Sequence, residues 1–286
     1  MKNNPLVTIQ ILNWNRADET VRAIKSAKAQ TYSNFEIVLI DNGSTDDSIK
    51  IIETFFPEVT LVKLDKNYGC PGGRNRGIDF CNGNYIFFCD NDGVLHRDAV
   101  KNAMFCISQE ENIAIVTGLV KDFNSEDDID TNYELPEPVY KETNLFQGGI
   151  TLHKKLIYHQ ISMYPDDYMY GGEETYLALR ILDAGYSIVK SNEIILWHKK
   201  SEFARNIEKE SLQAWGNKLT TSYQLYPFKD FILFFVYFFT KYPYYAIRHG
   251  FFKSYIFTVP KYLKRLGKYK RVSVKKNTFK KFNNFC

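Results

Sequence analysis

The chain has 286 residues, of which 44% are hydrophobic, 24% charged and 16% aromatic, an ordinary globular composition apart from its many aromatic residues. This length allows one large domain, or one domain with an appendage. The net charge of +4 is unevenly distributed, because residues 231–286 hold 13 of the 37 Lys and Arg and none of the 33 acidic residues, which indicates an anionic partner, either a membrane or a nucleic acid.

The first third of the chain predicts strands that alternate with helices. Apolar and β-branched runs predict strands at residues 6–12, 35–40 and 59–64. Apolar spacing predicts a first helix at residues 17–30. A second helix, with Ser44 or Thr45 as its N-cap, is expected to end near residue 55. This alternation is typical of a parallel sheet with right-handed βαβ connections.

A fourth predicted strand, at residues 85–89, ends in two carboxylates one residue apart, Asp90 and Asp92. A continuous apolar run of this length is typical of a strand buried on both faces. Ligands of open parallel sheets bind beyond the carboxyl ends of the strands, and hard carboxylate oxygens suit Mg²⁺ or Mn²⁺. The pair therefore indicates a metal site, with a simple turn that closes the strand as the alternative.

Each of the predicted strands ends in polar residues, which favours a nucleotide pocket at that edge. The residues concerned are Asn13 and Asn15, Asp41, Asn67, and Asp90. A glycine-rich turn then leads into a helix, where Gly72 and Gly73 would let backbone approach a phosphate and Arg74 and Arg76 would supply positive charge. A plain strand-to-helix connection with solvated arginines is the alternative. The glycine spacing fits neither a P-loop nor a dinucleotide fingerprint.

The second half of the chain contributes four further features. Residues 126–130 are expected to form an acidic, solvated turn, and residues 146–149 a tight turn into a strand at 150–152. Glu173 and Glu174 open a helix that ends at Gly185, where carboxylates commonly serve only the helix dipole. A final strand at 194–197 is followed by His198, and a histidine in such a position is on its own more often hydrogen-bonded than a metal ligand.

These motifs, in this order over residues 6–200, resemble glycosyltransferase family 2, the inverting GT-A enzymes that use nucleotide sugars. The matching stretches are residues 11–16, 38–46, 67–77, 90–92, 172–180 and His198. The resemblance is strongest to rhamnosyl-type transferases that build surface polysaccharides. It implies a GT-A fold, an α/β architecture with a Rossmann-like, mostly parallel sheet flanked by helices. The change in composition near residue 228 adds a C-terminal aromatic and basic helical appendage to this expectation. We expect a catalytic domain over residues 1–215 and a helical segment over 216–286.

The resemblance also implies a role for each site residue. The nucleotide would be bound by Asn13, Asn15, Asp41, Asn42, Asn67, Gly73, Arg74 and Asn91. Mn²⁺ or Mg²⁺ would be held by Asp90, Asp92 and His198. Glu174, or Glu173 before it, would be the base that takes the proton of the acceptor hydroxyl. The chain departs from the family where Leu12-Asn13 replaces the common Pro-Thr, where Pro71 interrupts the glycine loop, and where Glu174 replaces the usual aspartate.

The expected function is metal-dependent, inverting transfer of a sugar, most simply from a UDP-sugar, to a hydroxyl of a glycan acceptor in surface polysaccharide or glycoprotein glycan assembly. A silent GT-A domain that serves as a scaffold or oligomer partner is the alternative. The five scattered cysteines form no Cys-x-x-Cys pair, which argues against disulfides and zinc and suits a reducing cytosol.

Residues 228–281 combine apolar aromatic residues with many basic ones, which is typical of a helix that lies in a membrane interface. The uncharged run at 231–240 is half the roughly 20 residues that a spanning helix needs, and the N-terminus is too short and polar for a signal peptide. We expect a cytoplasmic protein at the inner face of the cell membrane, near a lipid-linked acceptor. Burial against the catalytic domain or another subunit is the alternative, and no nucleic-acid partner is expected.

Overall fold

The computed structural model describes residues 4–123, 125, 128–130, 133–199 and 206–284. The acidic turn predicted at 126–130 lies partly outside these described residues, and Cys286 lies wholly outside them.

The described strands form one sheet in the order β3-β2-β1-β4-β8-β6-β9-β5, with β7 paired to β9. The strands are β1 (Val7–Asn13), β2 (Phe35–Asp41), β3 (Thr60–Lys63), β4 (Tyr85–Asp90), β5 (Gly93–Leu95), β6 (Ile113–Phe123), β7 (Tyr140–Thr143), β8 (Ile150–Lys154) and β9 (Ser187–Lys199). The helices are α1 (Ala17–Lys28), α2 (Ser48–Phe55), α3 (Gly69–Gly77), α4 (Ala99–Ile107), α5 (Glu173–Asp183), α6 (Ile207–Leu225), α7 (Phe228–Arg248), α8 (Phe252–Leu266) and α9 (Lys276–Asn284).

The first half of the sheet is parallel and brings the predicted polar ends to one edge. Strands β3, β2, β1 and β4 pair in parallel, with Asn13 opposite Asp41 and Leu12 opposite Asp90. The inward side chains of β1, Val7, Ile9 and Ile11, are fully buried, as the apolar run of this strand predicts. The predicted α/β architecture with helices against the sheet is therefore confirmed.

The second half of the sheet is mixed, and its register completes the edge. Strand β8 is antiparallel to both β4 and β6, while β6 and β9 are parallel. Strand β5 is antiparallel to β9 and pairs Gly93 with His198. Because Gly93 follows Asp92 directly, this pairing brings the histidine next to the carboxylate, although about a hundred residues separate them in the chain.

Two local predictions were wrong. Helix α2 begins at Ser48, and it is the Asp46 carboxylate, not Ser44 or Thr45, that accepts the Ser48 backbone N–H, at 3.1 Å. Helix α3 begins at Gly69, so the glycines expected in a turn lie inside a helix. A Cβ at Gly73 would lie 2.5 Å from Leu12 Cδ1, so the missing side chain lets α3 pack closely on β1 without displacing Leu12.

The C-terminal helices pack against each other and against the part of the chain that contains the sheet. Helices α6, α7 and α8 share an apolar cluster that includes Trp215, Phe238 and Tyr255. Phe279 and Phe282 of α9 belong to the same apolar core as the buried face of α5. Residue 215, the predicted end of the catalytic domain, lies in the middle of α6, and the division into two domains stays a prediction.

None of the helices within the described residues is both long and apolar enough to cross a membrane. The aromatic helix α7 is continuous, but its sequence includes the charged residues Lys229, Asp230 and Lys241, and also Pro243.

Candidate active site

A cleft of about 860 Å³ opens at the carboxyl edge of β4. Seven of the predicted site residues line it: Arg74, Asp90, Asn91, Asp92, Glu173, Glu174 and His198. The other six, Asn13, Asn15, Asp41, Asn42, Asn67 and Gly73, lie outside its lining. The structure therefore brings the predicted metal ligands and the candidate bases into one space, beside the predicted nucleotide edge.

Asp92 lies between the Arg16 guanidinium and the His198 ring. The Arg16 guanidinium forms an ion pair with Oδ2, and His198 Nε2 lies 3.2 Å from Oδ1. Burial alone would raise the pKa of Asp92, but the His198 hydrogen bond and the Arg16 charge outweigh burial and hold this pKa below the usual 3.8. The carboxylate is therefore ionised over the physiological range, as a metal ligand must be.

The donor set at this point fits Mg²⁺ or Mn²⁺ held largely by substrate. The Asp92 and His198 donor atoms are adjacent, whereas Asp90 faces Arg74. Across the described ranges, no three His, Cys, Asp or Glu residues converge into a ready-made metal cage. Mg²⁺-type sites commonly use one or two carboxylates, with substrate phosphates and water as the remaining ligands. Asp92 and His198 are thus the residues that would hold the ion.

Arg74 is the buried cation of the cleft. Its side chain is 3% exposed, and Nη2 donates to Asp90 Oδ1 at 2.7 Å. The guanidinium lies over the Phe88 ring, 5.6 Å from the ring centroid. A desolvated guanidinium in this position attracts anions strongly, because little water screens it.

Glu173 and Glu174 stand at the first turn of α5 and face the same cleft. Burial raises the pKa of Glu173 to about 8, and the charge of Glu174 adds to this effect. Burial also raises the pKa of Glu174, against the opposing effects of backbone hydrogen bonds and Arg74. Glu173 is 4% exposed, and its Oε2 has no hydrogen-bond partner among the described residues, whereas Glu174 is half-buried. Raised carboxyl pKa values in a cleft are typical of acid–base groups.

A hydrogen-bond chain connects the ends of β2, β1 and β4. Asn13 Nδ2 donates to Asp41 Oδ1 at 2.9 Å, and Asn13 Oδ1 accepts from Thr20 Oγ1 at 2.7 Å and from Asn91 Nδ2 at 3.1 Å. The other Asp41 oxygen accepts the Ser44 backbone N–H at 2.9 Å. Asn13 and Asp41 are buried, so they form the floor of this edge.

The remaining predicted nucleotide residues shape the backbone around this floor. Asn42 Nδ2 donates to Asn67 Oδ1 and to the Gly69 carbonyl, while Asn42 Oδ1 accepts from the Tyr68 N–H. The Asn42 amide is thus fully used in holding the start of α3. Asn15 is exposed, has a positive φ of 53°, and its Oδ1 accepts the Thr45 N–H at 2.7 Å. Their contacts with a nucleotide stay predictions.

Sequence reasoning missed several residues of the cleft. Gly148 and Gly149 were assigned only to a turn, yet a Cβ at Gly148 would lie 2.6 Å from Arg74 Nη1, and a Cβ at Gly149 would overlap the Asp90 carboxylate. Their sequence signal was the glycine pair just before a strand, which marks a close approach of backbone to other groups. Other cleft residues that were given no role are Arg16, Cys70, Asp122, Tyr170, Asn206 and Glu210.

Comparison with known families gives one assignment. The sequence model described as "Glycosyl transferase family 2" matches residues 8–164, which is more than half of the chain. The match includes the ends of β1 to β4 and stops before α5.

Among proteins of known sequence, the chain is 39% identical over 95 residues to the putative colanic acid biosynthesis glycosyl transferase WcaA of Escherichia coli K12, which covers 32% of this chain and 34% of WcaA. It is 24% identical over 219 residues to the glycosyltransferase AglE of Haloferax volcanii, which covers 72% and 71% of the two chains. The match to WcaA thus spans only about a third of that protein.

Among solved structures, the chain is similar to GalNAc-T7 with UDP, GalNAc and Mn²⁺, with a TM-score of 0.66 and 14% identity. The similarity covers 80% of this chain and 49% of the other. At this identity the likeness concerns the fold, and it confirms the GT-A architecture.

The raised pKa of Glu173 makes stability depend on pH. In the folded state this carboxyl holds its proton up to about pH 8, whereas in the unfolded chain it loses it near 4.5, so the free energy of unfolding falls as pH rises through this window. We expect Glu173→Gln to stabilise the protein at about pH 9 by on the order of 3 kcal/mol relative to wild type, and by little at about pH 5. Urea unfolding at both pH values measures this difference.

The exposed Glu110→Gln is the matched control and should show no such pH dependence. An equal effect of Glu173→Gln at both pH values would mean that Glu173 is not desolvated in the folded protein.

Proposed function

The chain belongs to glycosyl transferase family 2, and from this membership we propose that it transfers a sugar from a nucleotide diphosphate sugar to a hydroxyl of a glycan acceptor. The observation that carries the proposal is the cleft itself, in which an ionised Asp92 beside His198, a buried Arg74 and two glutamates of raised pKa face one another. The departing diphosphate needs positive charge nearby, which Arg74 and a metal ion would supply. The attacking hydroxyl needs a carboxylate that can accept its proton.

The donor would lie along the carboxyl edge of the parallel strands. Asp41 would accept the imide N–H of a uracil base, since each carboxylate oxygen accepts more than one hydrogen bond. Asn13, Asn15, Asn67 and Asn91 would line the base and ribose, and Arg74 would face the diphosphate. A UDP-sugar is the proposed donor, in keeping with the UDP and Mn²⁺ held by the structurally similar GalNAc-T7. A relation to the rhamnosyl-type branch stays a prediction.

We assign Asp92 and His198 as the ligands of Mn²⁺ or Mg²⁺. Asp90 is a third candidate ligand, whose carboxylate forms an ion pair with Arg74 in this structure. Such an ion, when bound, stabilises the negative charge that develops on the departing diphosphate. Arg74 supports the same charge from the protein side, since it is fixed in place and shielded from water.

Glu174 is the proposed base, because it is the more accessible of the two carboxylates. It takes the proton of the acceptor hydroxyl as that oxygen bonds to the anomeric carbon. The bond from the anomeric carbon to the phosphate oxygen breaks at the same time, the nucleoside diphosphate leaves, and the anomeric configuration inverts. Glu173, buried behind it, keeps its proton more readily and so limits the negative charge next to the base.

The outer face of α7 and α8 is the proposed membrane contact. These two helices carry many large apolar side chains that are more than a third exposed: Ile232, Leu233, Val236, Tyr237, Phe239, Tyr244, Tyr245, Ile247, Phe252, Ile256, Phe257 and Leu263. Exposed cations accompany them at Lys229, Lys241, Arg248, Lys253, Lys261 and Lys264. Apolar and basic groups together match an anionic lipid surface, where each basic residue adds roughly 1 kcal/mol. We therefore place the protein at the cytoplasmic face of a membrane, with a lipid-linked glycan as acceptor.

The metal assignment predicts that Asp92→Asn weakens the metal-dependent binding of the sugar nucleotide. Wild-type protein should be stabilised by one class of UDP-, TDP- or GDP-sugar in the presence of Mn²⁺, in a thermal-shift measurement. Asp92→Asn should lower this metal-dependent affinity at least about tenfold, whereas the exposed Asp79→Asn should leave it unchanged. If Mn²⁺ stabilises the Asp92→Asn variant with the sugar nucleotide as strongly as it stabilises the wild type, Asp92 is not a ligand of the ion. No shift with any sugar nucleotide would favour the silent-scaffold function.

The base assignment predicts that Glu174→Gln lowers kcat by about 10²–10⁴-fold while nucleotide affinity is kept. Because the base works only when ionised, the wild-type rate should rise with pH through a pKa above the ordinary 4.5. Steady-state kinetics with separate nucleotide-binding measurements test both points. A smaller loss in Glu174→Gln than in Glu173→Gln would make Glu173 the base instead.

The membrane assignment predicts that full-length protein floats with vesicles rich in anionic phosphatidylglycerol and less with phosphatidylcholine alone. Replacing Leu233 and Val236 together by Gln should reduce flotation at least about fivefold, because two exposed apolar side chains are lost. Phe55→Gln, an equally exposed apolar position on α2, is the control. If the double variant instead dissociates an oligomer in gel filtration and leaves flotation unchanged, the face is a subunit interface.

A further inference from the structure

The loop that leads into the candidate bases is held by the C-terminal helices. Tyr168, in this loop, is fully buried, and its hydroxyl lies 3.0 Å from the Asn217 carbonyl and 2.8 Å from Thr221 Oγ1, both on α6. Asn217 Nδ2 donates to the carbonyls of Tyr170 at 3.0 Å and Gly171 at 2.7 Å. One buried amide of α6 thus fixes two successive peptide groups just before Glu173.

A residue of α8 fixes that amide in turn. Arg265 Nη1 donates to Asn217 Oδ1 at 2.8 Å. Since the oxygen of the amide is occupied by Arg265, its nitrogen is directed at the two loop carbonyls. Arg265 also forms a two-pronged ion pair with Asp167 of the same loop, through Nε at 2.8 Å and Nη2 at 2.7 Å. Its guanidinium lies 4.8 Å from the centroid of the Tyr168 ring.

The peptide groups held in this way belong to a turn that needs support. Gly171 and Gly172 both have positive φ, 75° and 86°, and Gly172 is the N-cap of α5. A Cβ at Gly171 would lie 2.9 Å from Ala214 Cβ, so the turn is packed directly on α6. Glycine turns are the most flexible kind of backbone, so their direction depends on the groups that hold them. This turn sets the direction in which the first residues of α5 point.

We propose that Asn217 and Arg265 are positioning residues of the active site, which hold the Gly171–Gly172 turn so that Glu173 and Glu174 face the cleft. The C-terminal helices are then part of the catalytic apparatus. For its kinetic consequence this inference rests on the proposed transferase function, whereas the structural coupling between α8 and the loop does not.

The test compares Asn217→Asp and Arg265→Gln with Arg271→Gln in the full-length chain. Asn217→Asp keeps the acceptor for Arg265, removes the two donors to the loop, and sets a carboxylate oxygen against the two loop carbonyls. Arg271 is the matched control, since it donates to the carbonyls of Tyr223 and Tyr226 near the end of α6, away from the turn. Hydrogen exchange of residues 166–176 is the first readout, and kcat and the donor KM are the second.

We expect both test variants to raise exchange in residues 166–176 at least about tenfold. They should lower kcat at least about tenfold, with the donor KM changed less than about threefold, because a misdirected base affects the transition state more than donor binding. The Arg271→Gln control should change neither readout, even if its melting temperature falls by as much as that of the test variants.

If residues 166–176 of both test variants exchange at the same rate as in the wild-type protein, the proposal is overturned, whatever the activity of the variants. Equal losses in Arg271→Gln would overturn it too, since the effect would then be general destabilisation. If the wild-type protein transfers no sugar, the proposed function fails, and the exchange readout alone decides whether Asn217 and Arg265 hold the turn.

Discussion

The site is organised around one buried guanidinium among carboxylates. Arg74 is almost fully removed from water and is fixed by Asp90 and by the ring of Phe88. A charge in this position is tolerated only with partners close by, and the acidic groups of the cleft provide them. Because these groups fill the space, the chain that passes them must lack side chains, which explains the glycines at 148 and 149. The glycine pair is therefore a steric consequence of the charge arrangement.

Much of the fold and part of the site follow from local sequence. The apolar runs that end in Asp41 and in Asp90 identify buried strands, and parallel strands necessarily end at one edge. A helix start at Glu173 and Glu174 is visible in the sequence, but their role as candidate bases was implied only by the resemblance to glycosyltransferase family 2. The placement of Gly73 in a turn was wrong, because glycine serves equally in a loop and in a closely packed helix. Its contact with a nucleotide stays a prediction.

The contacts that join distant parts of the chain were not predictable in the same way. The ion pair of Arg16 with Asp92 and the hydrogen bond of Arg265 with Asn217 depend on how elements pack, and no periodicity or spacing encodes them. The C-terminal segment illustrates this limit. Its aromatic composition was compatible with burial or with a membrane face, and the structure contains both kinds of position, since Phe238 is fully buried and Phe257 is 66% exposed.

The last described helix has a consequence for how the protein is made. Phe279 and Phe282 complete the core beneath α5, and the Asp183 carboxylate at the end of α5 accepts the Lys275 N–H at 2.8 Å and the Thr278 hydroxyl at 2.9 Å. These contacts span more than ninety residues, so the helix that begins with the candidate bases stays partly unpacked while a ribosome is still translating the C-terminal segment. A nascent chain would thus complete the packing of α5 only after α9 has emerged from the exit tunnel. Until then its exposed apolar surface is a natural substrate for chaperones.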